Sequence, residues 1–486
     1  MSKIRYCIYI IGIAALLLPS VLVSCMDEKF SSDPSHTLAF SADTVSFDTL
    51  FTGIGSATRL LKVYNRHDKS LMFSVQLADK ANSGFRVNVD GRTDVGVTRF
   101  DGLSVRGGDS LYIFIELTAA ARNSADIGMI KDSLVFVTNG TRQDVKLIAY
   151  GRDATMLYAP VVSRDTTFTA HRPIIIHDSL VVAEGATLTC EAGTSLYFHD
   201  KAGMIVRGRL VVSGEPGREV VLRGDRTDRL FPYLPYDRVP GQWGGVTFTT
   251  GSYGNELLHA DIHGGLYAVR CDSSDVTRDK VRIVGCKLTN TTGNVLEMTD
   301  CRADIANTEL SNAGLSCVDL TGGDVRFTHC TLANYFSYGI KHGVALSLRN
   351  AVGDVQHPVI EAAFVNCIIA GSSRDEISGG VSDDESTPYN YRFHNSLVNS
   401  VEPDDGDIGG CRWEKDDHFR LIDGDNYIYD FTLDSLSAAR DMGSPAAAAD
   451  YPLDRLGRPR SSAMGGDGMP DAGCYEWMPG NWQPRQ

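Results

Sequence analysis

Glu297, Asp319 and Lys341 recur at 22-residue intervals beside the apolar Leu296, Met298, Val318, Leu320 and Ile340, in Leu296-Glu297-Met298, Val318-Asp319-Leu320 and Ile340-Lys341-His342. Successive side chains of a strand face opposite ways, so burying the apolar members turns the charged ones outward. Aligning Val269 with Leu296 adds Arg270 to the same row. Strands stacked at ~4.8 Å would place Glu297 beside Asp319, near the ~5 to 5.5 Å carboxyl separation of retaining glycosidases. Glu297, Asp319 and Lys341 are therefore the candidate catalytic residues. The same row is also what a solvated face carries, a like-charged pair relieved by flanking cations. That second reading is the one adopted here.

Aromatic residues offer a different chemistry. The stretch 226–242 holds Phe231, Tyr233 and Tyr236 and is followed by Trp243; 335–358 holds Phe336 and Tyr338; 372–391 is a third irregular stretch. Insertions into a repeat gather on a functional face, and aromatic rings stack on sugar faces. Tyr233, Tyr236, Trp243, Phe336 and Tyr338 are accordingly candidate ligand-binding residues, with a polysaccharide or surface glycan as the partner. The histidines are read as ordinary strand or turn residues: His259 and His263 flank Asp261, and His329 precedes Cys330, with no nucleophile motif beside them. Asp272, Asp275, Asp300 and Arg302 are read as turn residues. No C-x-x-C or H-E-x-x-H spacing occurs, so no metal and no cofactor is expected.

The element that must position these residues is a repeat. Ile283-Val-Gly-Cys-Lys-Leu, Ile305-Ala-Asn-Thr-Glu-Leu and Phe327-Thr-His-Cys-Thr-Leu align at Cys286, Thr308 and Cys330, 22 residues apart. Cys367 and Ser396 continue the file with insertions between. A 22-residue period with 48 glycines in 486 residues predicts a solenoid of stacked coils, two strands to a coil. Cys286 and Cys330 then lie two coils apart, too far for a disulfide.

Leu180 to Phe198, Ile205 to Gly214 and Gln242 to Phe248 resemble the opening coils of right-handed parallel β-helix proteins. Polysaccharide lyases and hydrolases of that architecture work on the outer face of one parallel sheet, which is the alternative function kept for this chain. Polygalacturonase motifs do not transfer: Asn307-Thr308-Glu309, Lys341-His342-Gly343 and Asp383-Asp384 are imperfect and misordered. Asp454 to Arg460 and Pro470 to Glu476 resemble the closing segment of bacterial surface β-helix proteins, which implies a cap over the last coil.

Ahead of the repeat, short β-rich runs over 38–153, among them Arg59 to Asn65, Leu71 to Leu77 and Ser110 to Leu117, are spaced as in a sandwich. They resemble the immunoglobulin-like domains of bacterial surface proteins. The chain opens with Lys3 and Arg5 before the apolar run Ile8 to Leu18, an export signal too short to span a bilayer. Leu22-Val23-Ser24-Cys25 resembles the bacterial lipobox, which implies cleavage before Cys25 and its lipidation. Asp27-Glu28 with Lys29 looks like the surface-export signal of Bacteroidota lipoproteins. The net charge of -15 argues against a nucleic-acid partner.

The resulting expectation is an all-β chain: signal peptide 1–24, lipid-anchored linker 25–37, immunoglobulin-like β-sandwich 38–153, right-handed parallel β-helix 158–430, capping segment 431–477 and tail 478–486. It would sit in the outer membrane through Cys25, facing the cell surface or the periplasm, and act as a glycan-binding or adhesive module.

Overall fold

Strands such as Leu71–Leu77 and Ser110–Leu117 alternate buried and outward residues along their length, the pattern of a sheet with one face on a core. In the computed structural model, which describes residues 29–79, 83–93, 99–339, 342–416, 418–461 and 468–478, contacts divide the chain after Arg152. The first unit is an immunoglobulin-like sandwich of two five-stranded sheets. Thr44–Phe51 runs parallel to Thr141–Arg152, and the other pairs are antiparallel. Its core holds Leu61, Val63, Leu71, Ile113, Ile115, Phe136 and Leu147.

The second unit is a parallel β-helix built on sheets of eleven, nine and ten strands. One coil gives a strand to each, as with Lys287–Thr291, Leu296–Thr299 and Arg302–Ala306. Lys287 pairs with Glu309, Glu309 with Thr331, Thr331 with Ile368 and Ile368 with Leu397. The residues just before them, Cys286, Thr308, Cys330, Cys367 and Ser396, therefore form one file, as the spacing predicts.

Coils carry three strands rather than two, because the corner between the ten- and eleven-stranded sheets is a single residue that leaves the apolar pattern unbroken. His259, Gly285, Asn307, His329, Asn366 and Asn395 occupy it at φ of +45 to +67°. Glycine and short polar side chains tolerate that left-handed conformation best, and one such residue suffices to swing the strand direction. The following residue must then satisfy a corner carbonyl. Thr308 Oγ1 donates to Ala306 O at 2.7 Å and Ser396 Oγ to His394 O at 2.9 Å; the thiols of Cys286, Cys330 and Cys367 donate to the equivalent carbonyls of Val284, Thr328 and Val365 at 3.3 to 3.5 Å. A short donor is what the file selects, so Cys, Thr and Ser interchange, and the cysteines here are free thiols.

Two expectations change. After Asp319 the next step of the nine-stranded sheet is Ser347, on Leu346–Arg349, because Val318 pairs with Leu346; an insertion precedes this strand, so the 22-residue count to Lys341 does not carry the register. Lys341 itself, like Cys25, lies outside the described residues. Among its described residues, the closing segment is also placed along the side of the coils rather than over the last one. It runs as a strap along the single-residue corner: Arg455 Nε donates to Cys286 O (3.2 Å), Arg460 Nη2 to Asn307 Oδ1 (2.7 Å), Cys474 N to Thr331 Oγ1 (3.0 Å) and Gly473 N to Asn366 O (2.8 Å), while Asn395 Nδ2 donates to Met442 O (3.1 Å). The corner presents polar groups that the sheets leave unpaired, and the strap satisfies them. Ala439, Ala472, Cys474 and Tyr475, with Phe419, Phe431 and Leu433, bury the outer face of the eleven-stranded sheet at Ala333, Ile368, Ala370 and Leu397.

Candidate functional site

Where the strap stops covering the eleven-stranded sheet, its outer face carries charge. Asp261 pairs with Lys287 and Lys287 with Glu309, while His263 pairs with Thr289 and Thr289 with Ser311, making two outward files on three coils. A cleft of about 240 Å³ lies over them. Its walls come from three excursions of the chain: Asp237 and Arg238 from a short 3-10 turn, Tyr338 from the next insertion, and Tyr427, Tyr429 and Phe431 from the antiparallel hairpin Phe419–Asp423 and Ile428–Leu433. Tyr338 stacks on Tyr427 with ring centroids 4.2 Å apart, and its hydroxyl donates to Arg238 O at 2.7 Å, so the walls brace one another.

The floor is an ion network. His263 lies between two carboxylates, Nδ1 at 2.7 Å from Asp261 Oδ1 and Nε2 at 3.1 Å from Asp237 Oδ1. Asp237 is also paired with Arg223, and Lys287 Nζ is 3.7 Å from Glu309 Oε1. Ser311 Oγ donates to Glu309 Oε1 at 2.8 Å, and the Tyr475 hydroxyl of the strap donates to the other oxygen. Burial opposes the His263 cation, but Asp261 and Asp237 overcome it and hold the imidazole up at about 9. Burial likewise opposes the Asp261 charge, and His263, then Lys287 and Arg455, bring it down to about 2. Asp237 is held well below the usual carboxylate range against the same desolvation by His263 and Arg223. Glu309 keeps Lys287 above its ordinary value. With both ring nitrogens engaged, His263 has no lone pair to offer as a general base at neutral pH; the network fixes dipoles and charges in place.

The signs define a pH window. A pKa raised above its unfolded value gives His263 a stabilising contribution that is complete below about 6.5 and is lost as the pH rises through about 9. The depressed Asp261 contributes above about 3.8 and loses its contribution as the pH falls towards about 2. His263→Gln is therefore expected to lower the melting temperature at pH 7, with the gap to the parent narrowing at pH 10. Thermal melts at the two values check this, and a gap independent of pH would refute it.

The sequence-derived candidates fall in several places. Arg270, Glu297 and Asp319 do form one outward file on the nine-stranded sheet. Each carboxylate there has its own guanidinium, Arg270 Nε at 3.2 Å from Glu297 Oε1 and Arg349 Nη2 at 2.5 Å from Asp319 Oδ1, with Asn294 Nδ2 3.3 and 3.4 Å from one and the other. Trp243 is fully buried, stacked on Phe198 at 4.4 Å with Nε1 donating to His263 O at 2.8 Å, so it supports the cleft from beneath and has no face for a ligand. Phe336 is buried against Tyr338. Tyr236 lies under the Arg226 guanidinium at 3.9 Å, and Tyr233 is 56% exposed beside Phe231. Of the five aromatic candidates, Tyr338 lines the cleft.

Sequence reasoning does not single out Asp237, Lys287, Tyr427 and Tyr429; it reads His263 beside Asp261 as an ordinary strand or turn residue and meets Glu309 only in an imperfect motif. A signal was present for two of them, since Lys287 and Glu309 directly follow the file residues Cys286 and Thr308 and so share an outward position 22 residues apart. No family model matches the chain, and no curated protein matches it. Among solved structures it is similar to the periplasmic chaperone SfaE (15% identity, 24% of this chain, 58% of that one, TM-score 0.17), the Vibrio cholerae VesB protease (12%, 24%, 32%, 0.18) and a family 123 glycoside hydrolase from Clostridium perfringens (6%, 25%, 30%, 0.17). The chain spans less than two thirds of each of these chains, and at such scores the likenesses carry no argument about fold or activity.

Proposed function

We propose that this protein is a glycan-binding β-helix protein held at the outer membrane by lipidated Cys25, and that the cleft is its binding site. The observation that carries the reading is the stacked Tyr338 and Tyr427 wall above a floor of fixed polar groups. Aromatic rings meet the apolar faces of a sugar, and preset donors and acceptors meet its hydroxyls. At about 240 Å³ the cleft is smaller than the ~300 to 1,000 Å³ of sites for drug-sized ligands, which suits one sugar residue of a chain that continues along the surface. Binding is favoured over hydrolysis because the Glu297 and Asp319 carboxylates are each engaged by an arginine and by Asn294.

Affinity electrophoresis through gels containing polysaccharides tests the reading. The parent should be retarded by at least one glycan, and Tyr427→Ala should lose about tenfold in affinity, the equivalent of the ~1 to 1.5 kcal/mol that an aromatic contact supplies. Retardation of neither protein on any glycan would reject the cleft as a sugar site. For the anchor, Cys25→Ala should abolish fatty-acid labelling and release the protein from the membrane fraction; unchanged labelling would remove lipidation from the proposal.

A further inference from the structure

Among the described residues, one cation at the cleft is left without a carboxylate partner. Four carboxylates are present: Asp237, Asp261, Glu309 and, on the hairpin strand Ile428–Leu433, Asp430. Each already has a cation. Asp237 has Arg223 and His263, Asp261 has His263, Glu309 has Lys287, and Asp430 has Arg420 at 3.8 Å. Arg455, buried under the strap beside Glu309 and Asp261, adds a further positive charge to the same group. Arg238 remains. Its backbone carbonyl is taken by Tyr338 and Asn290, the residue lines the cleft with its charge felt at the Tyr338 hydroxyl, and among the described residues no carboxylate pairs with it. Three carboxylates and three cations thus line the cleft, and Arg238 is the one of these cations without a carboxylate partner among the described residues, in a recess with protein on three sides where charge is less screened than on an open surface.

Resting on the glycan-binding reading, we propose that the cleft is selective for an acidic sugar, a uronic acid residue, whose carboxylate is received by Arg238 and Lys287 while its ring lies against the Tyr338 and Tyr427 wall. Three features of the site fit this ligand and no neutral sugar equally well. A guanidinium offers the two-pronged donor geometry that a carboxylate matches, and a charge-assisted pair of this kind exceeds what a neutral hydroxyl gains. Lys287 sits between Asp261 and Glu309 on the floor and keeps part of its side chain, 35%, open to the cleft. The carboxylates of the floor are already compensated, so they do not repel an incoming anion as free ones would.

The probes are trisaccharides of galacturonic, glucuronic and mannuronic acid and their methyl esters, which keep ring and hydroxyls but remove the charge, together with a neutral glucan trisaccharide. Titration calorimetry on the full chain at low salt should show at least one acid binding tenfold or more tighter than its own ester, and weakening as salt rises. Arg238→Met, which leaves every ion pair named above in place, should bring acid and ester to within about threefold of each other, with an unchanged melting temperature. Lys287→Met should act in the same direction, though it also strips Glu309 of its cation, so Arg238→Met is the deciding variant. Equal affinity for acid and ester in the parent, or acid preference surviving in Arg238→Met, overturns the uronate assignment while leaving a glycan site standing. Binding of none of the saccharides overturns both it and the reading beneath it.

Discussion

Arg460→Met is expected to lower the stability of the β-helix unit by about 3 to 5 kcal/mol and to free the strap for proteolysis, the cost of leaving buried acceptors on Glu476, Asn307 and Gly473 without their donor. Arg460 and Glu476 are each 1% exposed, with Nη1 and Oε1 2.5 Å apart, and Arg460 also reaches Asn307 Oδ1 at the corner and Gly473 O within the strap. Glu476→Gln is the informative control, because its amide oxygen still accepts from Arg460. Burial, reinforced by Asp471 and Asp454, raises Glu476 to about 8 even against the pull of Arg460. A raised carboxyl stabilises fully below its unfolded value of about 4.5 and loses that contribution as the pH climbs from there through about 8, so the parent strap should loosen between about pH 5 and 8 and the Glu476→Gln strap should not. Denaturant unfolding and limited proteolysis over 440–478 measure both effects; an Arg460→Met protein as stable and as protease-resistant as the parent would contradict the strap as described.

The second large effect is expected inside the coils. Phe327, Phe364 and Phe393 stack in one column, centroids 4.9 and 5.0 Å apart and planes within 12°, and Phe364 is fully buried between the other two. Phe364→Ala removes both contacts and leaves a void that rigid coils above and below cannot close, at a cost of about 3 to 5 kcal/mol. Coils touch only their neighbours, so the loss should appear as local opening around Phe327 and Phe393 before it appears elsewhere. Hydrogen exchange resolved along the chain checks this. A loss below about 1 kcal/mol, or exchange raised equally from Thr155 to Trp413, would show that the column is not the local support the stacking implies.

Much of this architecture was legible without coordinates, for a physical reason. A parallel coil stack repeats its burial pattern at a fixed period, so Cys286, Thr308, Cys330, Cys367 and Ser396 announced their shared file by spacing alone, and alternation told inward Leu296 and Met298 from outward Glu297. The same logic separated the sandwich strands, whose alternation is set by one wet and one dry face. It failed where the chain leaves the period. Lys341 was assigned by counting 22 residues through an insertion, and the strand that continues the file starts instead at Leu346.

The cleft belongs to that second category. Lys287 and Glu309 were fixed as outward neighbours by the period, but their partners come from segments of no period at all: Asp237 from one excursion, Tyr338 from another, Tyr427 from a hairpin after the last coil, and Arg455 and Tyr475 from the strap. Periodic burial determines which side chains point out of a coil, because each strand solves that problem with its nearest neighbours. Which outward residues become a site depended on where irregular segments fold back, and that is decided by contacts between residues 100 or more positions apart, such as Tyr338 with Arg238 and Tyr475 with Glu309. Spacing carries no trace of those contacts, since the loops that make them are free in length and sequence until the surface they land on exists.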